Sequence, residues 1–319
     1  MRETKDEHLH YILSETKKHN ADNISRTKAY QNFYMQYPEM KWALLASMVS
    51  RNAGWNMTDL HLSPFRKILS TKQRNRLFMT YERANWLIFS DAYPQLLTYA
   101  LSIHYNQPLF HLLSRFRVSR FMKKEWDYFW KHSDRNRLMT ALIINEQNVI
   151  HSPVIKQDYF QYRIFMRLPY LLQDMLLLNA VLLPDRFGRL YGAFVHDFTN
   201  INKRIDMGKR IASIVFHPAV YDSLLDFVLT REHTGSRRDY EQFFHSPFEK
   251  APFLRSVYPV ITHQDIIRKD WHKIRGVKRK WTNPISAKPD SGIKKSFYNR
   301  RKLLYAYSHL KGVFTPDST

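Results

Sequence analysis

Along most of this 319-residue chain, hydrophobic positions recur at three- and four-residue intervals, the spacing that gathers side chains on one face of an α-helix. Leu77, Tyr81, Ala84 and Ile88 mark such a stripe in a helix predicted from a cap at Thr71 through Ser90. After Pro218 the pattern is cleaner still, with Tyr221, Leu224, Leu225, Val228 and Leu229 running until Gly235-Ser236. Further helices are predicted at Glu7–Lys18, a polar opening helix, and from the caps Asp22, Asn23 and Ser25 to the break at Pro38. Glu39–Ser50 is apolar nearly all round, as a central buried helix should be, with Gly54 as its stop. Pro94 is placed in the first turn of a helix to His104, where its missing N–H costs nothing. Phe110–Arg117, Ser119–Lys131, Arg135–Ile150, Tyr159–Arg167, Tyr170–Leu182, Arg189–Phe198 and Asp206–Phe216 complete the set. No stretch alternates with period two between turn signals. The expected fold class is all-α, a multi-helix globular bundle.

The texture changes near Pro247, where prolines crowd in and charge rises. Residues 1–24 read as a polar N-terminal helix, 25–245 as a helical core domain, and 246–319 as a proline-containing, basic, aromatic C-terminal appendage of partly irregular structure. Helix is expected within it at Phe297–Leu310, using Leu303, Leu304, Tyr307 and Leu310. From Arg268 onward the chain holds 14 Lys and Arg against 3 Asp, a net +11 out of a formal +22 for the whole. Lys273, Arg275, Lys278, Arg279 and Lys280 cluster beside Trp271 and Trp281. Arg300, Arg301 and Lys302 cluster beside Phe297, Tyr298 and Tyr305. Cations neutralise phosphates while aromatic faces stack on bases or settle at a lipid headgroup layer. The expected partner is therefore a polyanion, nucleic acid ahead of an anionic membrane surface, because the apolar face of the last helix is narrow for a membrane-surface helix. On this expectation Lys278, Arg279, Lys280, Arg300 and Arg301 contact phosphates and Trp281 and Tyr298 stack, without catalysis.

Other chemistry is thinly represented. The chain has no cysteine and only 8 glycines, which removes disulfides, thiolate metal sites and thiol nucleophiles and argues against glycine-rich phosphate loops. No HExxH, GxSxG or Walker pattern occurs, and no cofactor is called for. The apolar runs Trp42–Val49 and Leu168–Leu183 are too short or too interrupted for a membrane span. No apolar core follows the opening residues, so the expected compartment is the cytoplasm.

Charged residues set within apolar helices give a second line of candidates. Arg51 follows the most apolar helix, Glu82 and Arg83 stand beside Trp86, and Glu146 lies between isoleucine pairs. Buried charges persist when paired, so Arg51 or Arg83 with Glu82 or Glu146 is one expected network that fixes helix register. The alternative is a polar cavity in a helical enzyme, with Glu146 as general acid or base and Arg51 as anion clamp. His196-Asp197, placed on a helix, suggests the adjacent pair of helical phosphohydrolases, with His151, Asp222 and Asp226 as possible completing ligands. The glycine usual after such a pair is absent, and a structural histidine is the preferred reading.

The stretches Trp42–Leu60, Glu82–Leu96, Ala141–Gln147 and Gly235–Tyr240 resemble signature segments of the YppC-like family of uncharacterised proteins from bacilli, over roughly Ser25 to Tyr240. The resemblance implies a cytoplasmic bacterial protein and carries over no activity, cofactor or catalytic residue.

Overall fold

A computed structural model describes residues 2–155, 180–194, 197, 199–244, 246–264, 268–290 and 292–314. The predicted helix Tyr159–Arg167, most of Tyr170–Leu182 and His196 lie outside these residues.

The chain folds as a multi-helix globule: α1 (Arg2–His19), α2 (Asn23–Gln36), α3 (Lys41–Asp59), α4 (Ser63–Ile68), α5 (Thr71–His104), a 3₁₀ segment (Phe110–Phe116), α6 (Arg120–His132) and α7 (Arg135–Ile150) run in succession. After a β-hairpin come α8 (Ile201–Val215), α9 (Tyr221–Thr230), four short helical turns and α10 (Ile293–Phe314). Local chemistry sets the starts. Asp22 accepts from Ser25 N at 2.7 Å, Ser119 from Met122 N at 3.2 Å and Asp134 from Arg137 N at 3.0 Å, each satisfying an otherwise orphaned donor of a first turn. Ser70, not Thr71, caps α5, through a reciprocal pair with Gln73, the capping box.

Two predicted helix ends vanish. Helix α3 passes straight through Gly54 to Asp59. That glycine serves a close approach: a Cβ there would stand 2.5 Å from Asn23 Oδ1 and 2.9 Å from His233. Pro94 lies inside α5, where it leaves the Ser90 carbonyl without its usual i+4 donor. Arg268 supplies a substitute, its Nη2 lying 3.3 Å from Ser90 O.

A hairpin takes the place of the described part of the predicted helix Arg189–Phe198 and of the last three residues of Tyr170–Leu182. Strands β1 (Ala180–Pro184) and β2 (Leu190–Phe194) pair antiparallel, Ala180 opposite Phe194 and Pro184 opposite Leu190. Both are covered on both faces or nearly so, so neither alternates polar with apolar, and a short apolar run of this kind is indistinguishable from a buried helix by periodicity. Gly192 is required: at φ +130°, its Cβ would lie 1.9 Å from Val181 O.

The core is largely continuous. It extends from Leu9 and Ile12 of α1 through α2, α3, α5 and α7 to Trp271, Trp281, Ile293 and Phe297 of the C-terminal region, while a smaller cluster joins Met57, Phe65, Phe78, Leu254 and Leu304 beside α4. Helix α10 packs on α4 and β2. It buries Ile293, Phe297, Arg301, Leu304 and Ser308 and exposes Leu303, Tyr307 and Leu310. Only Leu304 of the predicted apolar face is thus inside. No helix among the described residues is long and apolar enough to cross a membrane.

Candidate functional site

The second half of α3 supplies a row of polar side chains to the interior, and the segment His233–Glu241 meets them. Trp55 Nε1 donates to Asp239 Oδ2 at 3.0 Å. His233 bridges Asp239 Oδ2 at 3.2 Å and Asn23 Oδ1 at 2.8 Å. Arg237 joins Asp59 at 2.6 Å, Asn56 Oδ1 at 2.9 Å and Tyr240 Oη at 2.9 Å. All of these residues are buried. Burial opposes ionisation of Asp239, yet the bonds from His233, Thr234 and Trp55 hold its carboxyl below the ordinary range. Burial pushes His233 down toward the neutral ring. Asp59 Oδ1 is buried without a hydrogen-bond partner among the described residues, while the other bonds tie the group together as a structural joint.

Arg51, Glu82 and Glu146 do not converge. Glu82 pairs with Arg26 at 2.5 Å and lies 3.2 Å from His263; burial opposes its ionisation, yet the Arg26 guanidinium and the hydrogen bond with His263 hold it below the ordinary carboxylate value. Arg51 donates to Gln31 Oε1 at 3.1 Å and Val228 O at 3.2 Å, and burial lowers its pKa to about 10. The network predicted to use Arg51 or Arg83 is instead built on Arg26, and Arg83 lies over the Trp86 ring. Glu146 is a different case. Among the described residues its carboxylate accepts only neutral donors, Trp42 Nε1 at 3.1 Å and Gln147 Nε2 at 3.1 Å, and burial raises its pKa to about 7. It lines a cavity of about 130 Å³ with Arg26, Tyr30, Ser50, Asn85 and Arg204. Sequence reasoning found Glu146 but missed Arg26 and Arg204, which come from helices distant in the chain with no local motif to signal them.

Of the His196-Asp197 pair, His196 lies outside the described residues. Asp197 sits at φ +58° in the loop before α8 rather than on a helix, bound to Thr199 Oγ1 at 2.8 Å. His151 contacts Arg204 at 3.1 Å, and Asp226 pairs with Arg186, while Asp222 is exposed on α9. Among the described residues, no group of three or more His, Asp or Glu is placed to hold a metal ion.

The basic C-terminal residues divide sharply. Lys278, Arg279 and Lys280 are exposed and have no ion-pair partner among the described residues. They surround Trp281, whose ring is buried and whose Nε1 donates to Asn202 Oδ1 at 2.8 Å. Lys209 of α8 donates to Asn283 O at 3.0 Å and Lys280 O at 3.4 Å, fixing this turn from beneath. Trp281 is therefore an anchor with no face to offer a base. Arg301, predicted to contact phosphate, is buried against Glu241 at 2.5 Å. Tyr298 is half-buried and donates to the same carboxylate at 2.9 Å. Arg300 lies with its guanidinium 4.1 Å from the Phe194 ring centre. The three aromatic and arginine residues Trp281, Tyr298 and Arg301 thus serve packing, because a basic amphipathic pattern does not reveal which cations pair inward.

Comparison with known proteins places the whole. A family model described as "Protein of unknown function (DUF2515)" matches residues 18–297. The chain is 45% identical over 295 residues to the uncharacterized protein YppC of Bacillus subtilis strain 168, covering 92% of this chain and 87% of that protein. No solved structure matches. The chain therefore belongs to the DUF2515 family of proteins of unknown function.

Proposed function

We propose that this protein associates with nucleic acid, without catalysis, through exposed cations of its C-terminal region. The observation that carries the reading is the trio Lys278, Arg279 and Lys280: solvent-exposed, unpaired with any carboxylate among the described residues, and held on one short turn by the buried Trp281 anchor. Exposed Lys269, Lys273, Lys288, Lys295 and Lys302 add charge along the same region. Such side chains neutralise phosphates and release counterions, giving sequence-tolerant binding. With Trp281 buried and Tyr298 engaged by Glu241, stacking contributes little.

The test is affinity for single-stranded and duplex DNA and RNA over a salt series. Log affinity is expected to fall linearly with log salt, at about 0.7–0.9 per phosphate contacted. Replacing Lys278, Arg279 and Lys280 together by Gln should flatten that slope by about two and weaken binding equally on unrelated sequences, with the fold intact. Unchanged affinity and slope in the triple variant would sink the proposal, and binding confined to anionic vesicles would transfer it to a membrane surface.

A second reading attaches to Glu146. A carboxyl that titrates near 7 beside two arginines in a small cavity suits proton exchange with a bound molecule. Its test is thermal stabilisation by a panel of small carboxylates and phosphates, compared between the wild type and Glu146→Gln. No ligand whose effect depends on Glu146 would dismiss it.

A further inference from the structure

A second cavity, unrelated to the Lys278–Lys280 turn, lies where the segment Arg268–Arg275 crosses the middle of α5 and the C-terminal end of α7. Its volume is about 320 Å³, within the range of small-ligand clefts. Four cations line it: Arg117, Arg268, Lys269 and Arg275. Two carboxylates do so as well, and both are already engaged. Asp91 accepts from Asn145 Nδ2 at 2.6 Å and Gln95 Nε2 at 2.8 Å, with Arg268 Nη1 at 3.6 Å. Asp270 accepts from the backbone N–H groups of Arg120 and His272, each at 3.1 Å. Positive charge is therefore in excess.

The donors are also incomplete. Among the described residues, Arg268 Nε and Arg275 Nη1 are buried without a hydrogen-bond acceptor, and Arg268 Nη1 has no partner nearer than Asp91 at 3.6 Å. A buried guanidinium N–H left unpaired is costly, and here several N–H groups share one cleft. Arg275 is held in place by its other nitrogen, Nη2 to Ser152 Oγ at 2.7 Å, so its vacant edge is not a matter of a free side chain. On the same wall Asn148 Oδ1 is buried and receives no donor among the described residues. Val149, Pro153 and Ile274 supply apolar surface.

What these groups lack is a ligand that is anionic at one end and carries an O–H or N–H donor farther along, on a body with apolar faces. We propose that the cleft binds a phosphate monoester of mononucleotide size, with the phosphate taken by Arg268 and Arg275 and a hydroxyl or amino group donating to Asn148. Guanidinium groups bind phosphate through paired, charge-assisted hydrogen bonds, and the apolar wall accommodates the remainder. The site does not rest on the exposed lysine–arginine trio, which does not line it.

Isothermal titration of the full-length protein with AMP, adenosine and inorganic phosphate tests this. AMP is expected to bind saturably at one site, more tightly than inorganic phosphate, and adenosine not to bind. Arg268 also holds Ser90 O and Asp91, so its removal threatens the fold; Arg275→Gln and Lys269→Gln are the variants of choice. Arg275→Gln should weaken AMP binding about tenfold or more, Lys269→Gln less, and the Lys278/Arg279/Lys280 triple replacement not at all. Competition of AMP with a 5′-phosphorylated against a 5′-hydroxyl oligonucleotide separates the two sources of such a group. Preference for the phosphorylated strand assigns the site to strand ends, and equal, weak competition assigns it to free nucleotides. Absence of saturable AMP binding, AMP binding no tighter than inorganic phosphate, or affinity unchanged in both Arg275→Gln and Lys269→Gln would overturn the proposal.

Discussion

At the scale of single residues, identity is decided by what stands within a few ångströms. Gly54 sits mid-helix, where alanine is normally better by about 1 kcal/mol. Its missing Cβ makes room for Asn23 and His233, both fixed by other bonds, so the sign reverses. Gly54→Ala is expected to destabilise by about 1–3 kcal/mol in denaturant unfolding, and a stabilised variant would show that the polar joint yields easily. Glu146 offers a test of sign in another form. Its carboxyl is raised from an ordinary 4.5 to about 7, so between those values the folded state holds the proton and the unfolded state has lost it. That contribution to stability is present below pH 4.5 and is lost as pH rises toward 7. Glu146→Gln removes it. The variant should therefore gain on the wild type by roughly 2–3 kcal/mol between pH 4.5 and 8, measured as the difference of two unfolding curves at each pH. The opposite trend from His233, whose lowered pKa costs stability as pH falls below 6.5, is common to both proteins and cancels. A pH-independent difference would mean that Glu146 is ionised throughout.

At the scale of elements, α3 organises the molecule, because its first half is apolar on all sides and its second half carries the polar joint. Leu45, only 2% exposed, belongs to the first half and borders the Glu146 cavity. Leu45→Ala should cost about 2–5 kcal/mol; a loss below about 1 kcal/mol would mean that the neighbouring cavity absorbs the change. The sequence identified α3 well, since nineteen residues of such composition have few alternatives, but put its end at Gly54 for want of any local sign that a glycine can answer to a distant side chain. The hairpin at Ala180–Phe194 was illegible for a related reason. Strands buried on both faces lose the alternation that betrays a strand. The last helix failed on orientation: Arg301 looks inward to Glu241 while Leu303 and Leu310 look outward, and no amphipathic count anticipates a buried ion pair replacing an apolar contact.

At the scale of the whole molecule, the basic C-terminal region both presents charge and completes the core. Trp271, Trp281, Ile293 and Phe297 join the main hydrophobic cluster, Arg301 neutralises the buried Glu241, and Arg268 satisfies a carbonyl freed by Pro94. Deleting residues 268–319 should therefore abolish cooperative thermal unfolding and leave a buried carboxylate without its cation. A truncated chain that melts cooperatively within a few degrees of the full protein would contradict that role. Charge replacements at Lys278–Lys280, not truncation, are the means of separating binding from folding.

Composition and periodicity determined the helical class, the central place of α3, the absence of thiol chemistry and the concentration of positive charge toward the C-terminus, because each of these is a property of residues close together in the chain. Which carboxylate meets which arginine, which tryptophan is an anchor and which cations remain free were decided only by tertiary structure. Arg26 reaches Glu82 and Arg237 reaches Asp59 across long stretches of chain, and Arg268 and Arg275 meet Asn148 only because the C-terminal segment folds back over α7. Side chains far apart in sequence become neighbours through packing. The desolvation that packing imposes then sets whether a charge must be paired, neutralised or left open for a ligand.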